Sequence, residues 1–120
     1  MIVNILLLLI ALLHLYILYM EMFAWTTLGR RTFGRQGGEN FYTETKVMAA
    51  NQGLYNGILA AGLLWALLIE DPSWSNNVAL FFLSAIAVAG LYGGFTAGKK
   101  IILFQTVPAL ITILLIILKI

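Results

Sequence analysis

The chain has 120 residues, of which 62% are hydrophobic and 10% charged, and its mean hydropathy of +0.97 excludes an ordinary soluble domain of this length. With no cysteine and a single histidine, thiol chemistry is excluded and a zinc or haem site built from protein ligands is not expected, so we predict no metal and no cofactor. The net charge of only +2 is typical of membrane topology signals and predicts no nucleic-acid partner.

The first predicted element runs from residue 2 to about residue 25 and is almost unbroken hydrocarbon. At a rise of about 1.5 Å per residue it is long enough to cross a bilayer core of about 30 Å. No basic segment precedes it and no small-residue cleavage pattern follows it. We therefore predict a retained transmembrane helix and not a cleaved signal peptide.

The rest of the chain reads as one loop and three further apolar segments. Residues 26–42 form a loop rich in glycine and arginine, and helices are predicted at about residues 43–69, 77–98 and 101–118. An acidic segment containing Pro72 ends the second helix, and a lysine pair separates the last two. The sequence predicts an all-α fold, a four-helix transmembrane bundle that forms a single integral membrane domain over residues 1–120.

The charged residues set the predicted orientation. Five basic residues lie in the first loop and the last turn, whereas the loop after the second helix holds two acids. By the positive-inside rule, both termini should face outward and the arginine-rich loop should face the cytoplasm. The lipid bilayer is then the first expected partner.

The second helix carries a polar cluster inside an otherwise apolar span. Its members are Asn51, Gln52, Tyr55 and Asn56. At about 100° per residue they fall within an arc of about 140°. Polar side chains within a membrane usually face protein or water, so this arc favours a binding site. Small residues spaced by four occupy the opposite side, as expected for close helix packing. They are Gly53, Gly57 and Ala61.

In the predicted bundle, further polar residues from the other helices also lie in the cytoplasmic half. We expect a pocket there for a small polar or amphiphilic ligand, with Glu21 as a catalytic proton acceptor or charge partner. The candidate ligand-binding residues are Asn51, Gln52, Tyr55, Asn56, Tyr92 and Gln105. Whether the protein is an enzyme stays open. His14, near the midplane, is either a hydrogen-bonded packing residue or a proton relay.

Several alternatives remain at this point. Glu21 could serve a proton-coupled exporter, or the polar cluster could be only hydrogen-bonding glue in a structural subunit. The arginines Arg30, Arg31 and Arg35 are either topology determinants or a site for an anion or lipid headgroup. Small-residue faces on the second and third helices exceed what one short bundle needs, which favours a homo-oligomer.

Four sequence runs carry a family resemblance. They are Glu21-Met-Phe-Ala-Trp25, Lys46-Val-Met-Ala-Ala-Asn-Gln-Gly-Leu-Tyr-Asn-Gly57, Ala89-Gly-Leu-Tyr-Gly-Gly94 and Gln105-Thr-Val-Pro-Ala109. Together they resemble a family of bacterial four-helix inner-membrane proteins of about this length and of unknown function. The Ala-Ala-Asn-Gln-Gly-Leu-Tyr-Asn run is the most specific part. The resemblance implies a multi-pass protein of the bacterial cytoplasmic membrane and brings no activity with it.

A second resemblance is to the membrane-associated eicosanoid and glutathione metabolism (MAPEG) proteins. These have four helices, a basic inner loop, and glutathione held between the subunits of a trimer. Asn51 matches the asparagine of their second-helix motif, whereas the arginine and glutamate positions of that motif fall at Val47 and Leu54. This resemblance implies a glutathione or lipid enzyme as a further alternative. Small multidrug exporters are similar in length, in helix number and in a lone glutamate in the first helix.

Overall fold

The computed structural model describes all residues 1–120 and contains helices and turns but no strand, which confirms the all-α class. Two π-helical turns, at Trp25–Gly29 and Ile102–Thr106, interrupt the α-helical segments. The six α-helices are α1 (Ile2–Phe23), α2 (Arg30–Phe33), α3 (Phe41–Glu44), α4 (Lys46–Leu68), α5 (Pro72–Thr96) and α6 (Val107–Ile117).

Two of these helices, α1 and α5, are long and apolar enough to cross a membrane, and the apolar segment Ile102–Ile117 is shorter. Large apolar side chains are exposed along both helices, for example Leu9 and Phe81, as expected for a surface that faces lipid. These features favour association with a membrane. The four-helix transmembrane bundle stays a prediction, because the polar residues in the first half of α4 lower its hydropathy.

The third predicted helix begins earlier than expected, at Pro72 instead of residue 77, and it ends at Thr96 instead of residue 98. The side chain of Asp71 accepts a hydrogen bond of 2.8 Å from the Trp74 backbone N–H, which caps the helix. Proline fits the first helical position because its missing N–H would have no partner there. The same residue that ends one predicted helix therefore also starts the next.

The predicted loop and the last predicted helix also differ from the structure. The backbone of Ala24 leaves the helical region, so α1 ends at Phe23, and the predicted loop 26–42 contains α2 and the start of α3. The second long helix begins at Lys46 and ends at Leu68. The fourth predicted helix, 101–118, is a π-helical turn followed by α6. Pro108 lies at the start of α6, where it cannot donate the usual bond to the preceding turn.

The chain forms two compact units, and the first contains residues 1–12 and 59–120. Its core includes the fully buried side chains of Leu7, Leu63, Leu83 and Ile86. Thr106 Oγ1 donates a hydrogen bond of 3.1 Å to a backbone carbonyl of α5, that of Ala87. This bond ties the π-helical turn before α6 to α5. The single domain over residues 1–120 stays a prediction.

The second unit contains residues 13–58. Here the last part of α1 and the first part of α4 run antiparallel and meet at the glycine face of α4. A Cβ added to Gly53 would lie 2.7 Å from Met22 Cγ and 3.1 Å from the Leu18 carbonyl oxygen. One turn later, a Cβ at Gly57 would collide with Leu18. The neighbour that needs this small-residue face is therefore α1.

Candidate functional site

The polar centre of the second unit is a hydrogen-bonded pair formed by Glu21 and Asn56. Asn56 Nδ2 donates to Glu21 Oε1 at 3.1 Å and to the Gln52 backbone carbonyl at 3.1 Å. Glu21 lies near the end of α1, and Asn56 lies beside the glycine contact that brings α4 close. Both side chains are half-buried. The close packing of the two helices thus places an amide against a carboxylate.

The hydrogen-bond inventory of this pair decides what it can recognise. The amide group of Asn56 has two hydrogens, and both already have an acceptor. The groups that keep acceptor capacity are the Glu21 carboxylate and the Asn56 amide oxygen. With the carboxylate ionised, the pair offers acceptors and no donor, which suits a ligand that brings N–H or O–H groups and a positive charge.

The other predicted residues of α4 make no side-chain hydrogen bond to this pair. The side chains of Asn51, Gln52 and Tyr55 are exposed, with 56% of the Tyr55 surface accessible. Gln52 contributes its backbone carbonyl to the pair. Of the predicted cluster in α4, only Asn56 makes a hydrogen bond to Glu21.

Three further residues considered from the sequence are not part of this pair. Tyr92 is 72% exposed and Gln105 is half-buried, and both belong to the unit of residues 1–12 and 59–120. Their participation in a ligand site stays a prediction. His14 is fully buried, and both interpretations of it stay open.

An aromatic cluster follows α1 in the same unit as Glu21. The Trp25 ring lies 5.2 Å from the Tyr42 ring and 5.8 Å from the Phe33 ring, measured between centroids. Phe41 meets Tyr42 edge-on at 5.1 Å. The indole N–H of Trp25 donates to Thr45 Oγ1 at 2.9 Å. This cluster fixes residues 26–42, called here the arginine-rich segment, against the start of α4.

The arginine-rich segment surrounds a surface depression with a volume of about 510 Å³. The Arg30 guanidinium carbon lies 5.5 Å from the centre of the Tyr42 ring, within the range of a cation–π interaction. Arg31 does not line the depression. Its lining residues are Arg30, Gly34, Arg35, Gln36, Gly38, Glu39 and Tyr42.

Sequence reasoning missed the role of Tyr42, which it placed only at the end of the predicted loop 26–42. Tyr42 is 4% exposed, and its hydroxyl donates to the Gly34 carbonyl. The signal available was the clustering of aromatic residues on both sides of a glycine-rich loop. That signal indicates contact across the loop but does not say which ring lies under which arginine.

Comparison with known proteins gives a family but no activity. A family model described as "Protein of unknown function (DUF1304)" matches residues 8–117. An "Uncharacterized protein YpaA" from Lactococcus lactis subsp. lactis (strain IL1403) is 34% identical over 99 residues, covering 82% of this chain and 82% of that protein. No solved structure matches the chain.

Proposed function

Because the chain belongs to the DUF1304 family of unknown function, we propose its function from the chemistry of its own residues. It is a membrane protein that binds a small amphiphile whose polar head carries hydrogen-bond donors, an alkylammonium head above all. Glu21 is the charge partner of that head, and the Asn56 amide oxygen is a second acceptor. The apolar tail of the ligand lies against the exposed hydrocarbon side chains of α1 and α4.

The observation that carries this proposal is that both amide hydrogens of Asn56 already have acceptors within the protein. Since both of its hydrogens are donated, to Glu21 and to the Gln52 carbonyl, an anionic or acceptor-only head would find no donor there. A carboxylate that loses hydration is stabilised most by a cationic partner. A donor-rich, positively charged head is therefore the best complement.

The membrane setting is part of the same proposal. We place the protein as a four-helix bundle in the bacterial cytoplasmic membrane, with Glu21 toward the cytoplasmic half. The exposed amides of Asn51 and Gln52 lie within a helix that would then contact hydrocarbon, where an uncovered polar group costs free energy. We therefore propose that a second copy of the chain covers them, so that the protein is a homo-oligomer.

The test uses the full chain in nanodiscs and measures binding of dodecylammonium by isothermal titration calorimetry. Glu21→Gln should weaken binding by about tenfold or more, since a hydrogen bond to a charged group is worth about 1.5–3 kcal/mol. Dodecyltrimethylammonium, which has the charge but no N–H, should bind more weakly than dodecylammonium. Dodecyl sulfate should bind without any dependence on Glu21.

Glu44→Gln is the matched control, because it removes an exposed carboxylate from the same unit. An equal loss of dodecylammonium binding in Glu44→Gln and Glu21→Gln would disprove a specific site. If both variants bind normally but Glu21→Gln and Asn56→Ala lower thermal stability, the pair is structural glue.

A proton-coupled exporter is the second candidate, favoured by one observation. The two candidate spans, Ile2–Phe23 and Pro72–Thr96, contain one acidic residue between them, and that residue is Glu21. An exporter would move protons in proteoliposomes when dodecylammonium is added, and Glu21→Gln would abolish that movement. Binding without proton movement would favour the first candidate. A glutathione or lipid enzyme stays a prediction from the MAPEG resemblance alone.

A further inference from the structure

We propose that the depression between α2 and α3 binds a phosphate group, as carried by an anionic phospholipid headgroup or by free phosphate, with Arg30 and Arg35 holding its oxygens. This inference is independent of the Glu21 site, since it involves other residues and a ligand of opposite charge.

Arg30 is positioned beside an aromatic ring. Its guanidinium carbon lies over the Tyr42 ring, 5.5 Å from the ring centre, which is within cation–π range. A guanidinium held near a ring loses less conformational entropy when it binds than a freely rotating side chain does. Planar, fixed N–H pairs match phosphate oxygens in a bidentate geometry.

The platform under Arg30 is itself rigid. Tyr42 is buried against Trp25 and Phe41, and its hydroxyl donates to the Gly34 carbonyl. At Gly34 the backbone has a φ of +69°, a left-handed conformation that favours glycine. This reversal ends α2 and brings Arg35 to the same depression as Arg30.

The charge and position of the depression favour an anion from the membrane. Two arginines and one acid, Glu39, line it, so its lining carries a net positive charge. Its volume of about 510 Å³ lies within the range usual for small-ligand sites. Arg30 follows Phe23, where the candidate span α1 ends, by seven residues, so we expect it near the level of lipid headgroups.

The experiment uses Trp25 as the reporter. In the full chain carrying Trp65→Phe and Trp74→Phe, which change two exposed side chains, Trp25 is the only tryptophan. Its quenching is measured in nanodiscs that contain brominated phosphatidylglycerol or brominated phosphatidylcholine. We expect phosphatidylglycerol to be preferred, and Arg30→Gln to reduce that preference by about fivefold, the equivalent of about 1 kcal/mol for one basic residue near a membrane surface.

Arg31→Gln is the matched control, because it removes the neighbouring charge without touching the depression. It should keep most of the lipid preference, and Arg30→Lys, which keeps the charge but not the planar stacking, should lose part of it. Inorganic phosphate titrated into phosphatidylcholine nanodiscs distinguishes the sources. A saturable, Arg30-dependent change in Trp25 fluorescence supports the site with free phosphate as its ligand.

Two results would overturn the proposal. The first is an equal loss of lipid preference in Arg31→Gln and Arg30→Gln, which would mean that only overall charge attracts the lipid. The second is that neither lipid nor phosphate gives a response that depends on Arg30, although circular dichroism shows that the variants keep their helix content.

Discussion

A single side chain, that of Asn56, links the two helices of the second unit and sets the chemistry of the site. It donates to Glu21 in α1 and to the Gln52 carbonyl in its own helix. The second bond fixes its rotamer, and the first then holds Glu21 at one position. Asn56 therefore contributes both to packing and to the choice of ligand.

A double-mutant cycle can measure the energy of this pair. We expect Glu21→Ala and Asn56→Ala, each of which removes one partner of the bond, to be coupled by about 0.6 kcal/mol, and by no more than about 1.7 kcal/mol, as found for hydrogen bonds between helices in a membrane. The measurement is the free energy of unfolding by sodium dodecyl sulfate in mixed micelles. Glu44→Gln, which changes an exposed side chain of the same unit outside this pair, should change that free energy by less than about 0.5 kcal/mol.

The sequence could identify the polar arc of α4 but not which of its members meets Glu21. Asn56 lies about 60° from Gly53 around the helix, at the edge of the face that contacts α1, whereas Asn51 lies about 160° away. The direction of the neighbouring helix decides between them, and that direction depends on the contact of Gly53 and Gly57 with Leu18. Hydropathy alone contains no such direction.

At the scale of elements, α5 and the π-helical turn before α6 are held together by a close backbone approach. A Cβ on Gly90 would lie 2.5 Å from Thr106 Oγ1 and 3.0 Å from the Thr106 backbone nitrogen. Thr106 in turn donates to the Ala87 carbonyl. The space that glycine leaves is therefore what allows this hydrogen bond to form.

Gly90→Ala should be destabilising, by about 1–3 kcal/mol, as is usual when a tightly packed contact is overfilled. The same unfolding titration checks this value. Gly98→Ala is the control, because a Cβ at Gly98 meets no atom within 4 Å. Because alanine favours a helical conformation over glycine by about 1 kcal/mol, an unchanged or higher free energy of unfolding in Gly90→Ala would contradict the tight contact with Thr106.

The number of long helical segments was accessible from the sequence, whereas their ends were not. The apolar runs are long, but Pro72 has two roles, and a hydropathy pattern that ends at a proline does not show that Asp71 caps the following helix. The π-helical turns were missed for a similar reason. Their side chains are as apolar as those of their neighbours, so only the backbone hydrogen bonds distinguish them.

At the scale of the whole molecule, the transmembrane topology depends on α4. This helix is 23 residues long, yet its first half carries Asn51, Gln52 and Asn56, and only α1 and α5 qualify as spans by length and composition. If α4 crosses the membrane together with them, the arginine-rich segment and the turn after α4 lie on opposite sides.

Cysteine labelling tests this topology directly, because the chain contains no cysteine. In intact spheroplasts a membrane-impermeant maleimide should label Ser73→Cys, and it should label Gly38→Cys only after permeabilisation. Both positions are exposed. Labelling of both in intact cells would contradict the positive-inside orientation, and labelling of neither would contradict an outward turn after α4.

The π-helical turn at Ile102–Thr106 is a place where the chain can lose one residue without changing the helix that follows. A π-helical turn holds about one residue more than an α-helical turn, so one residue can be lost there while the segment becomes a regular α-helix. The side chains of α6 would then keep their faces. A deletion in the middle of α5 would instead rotate every following side chain by about 100°. Relatives of different length should accordingly gain or lose single residues at this turn, while α5 keeps a constant length.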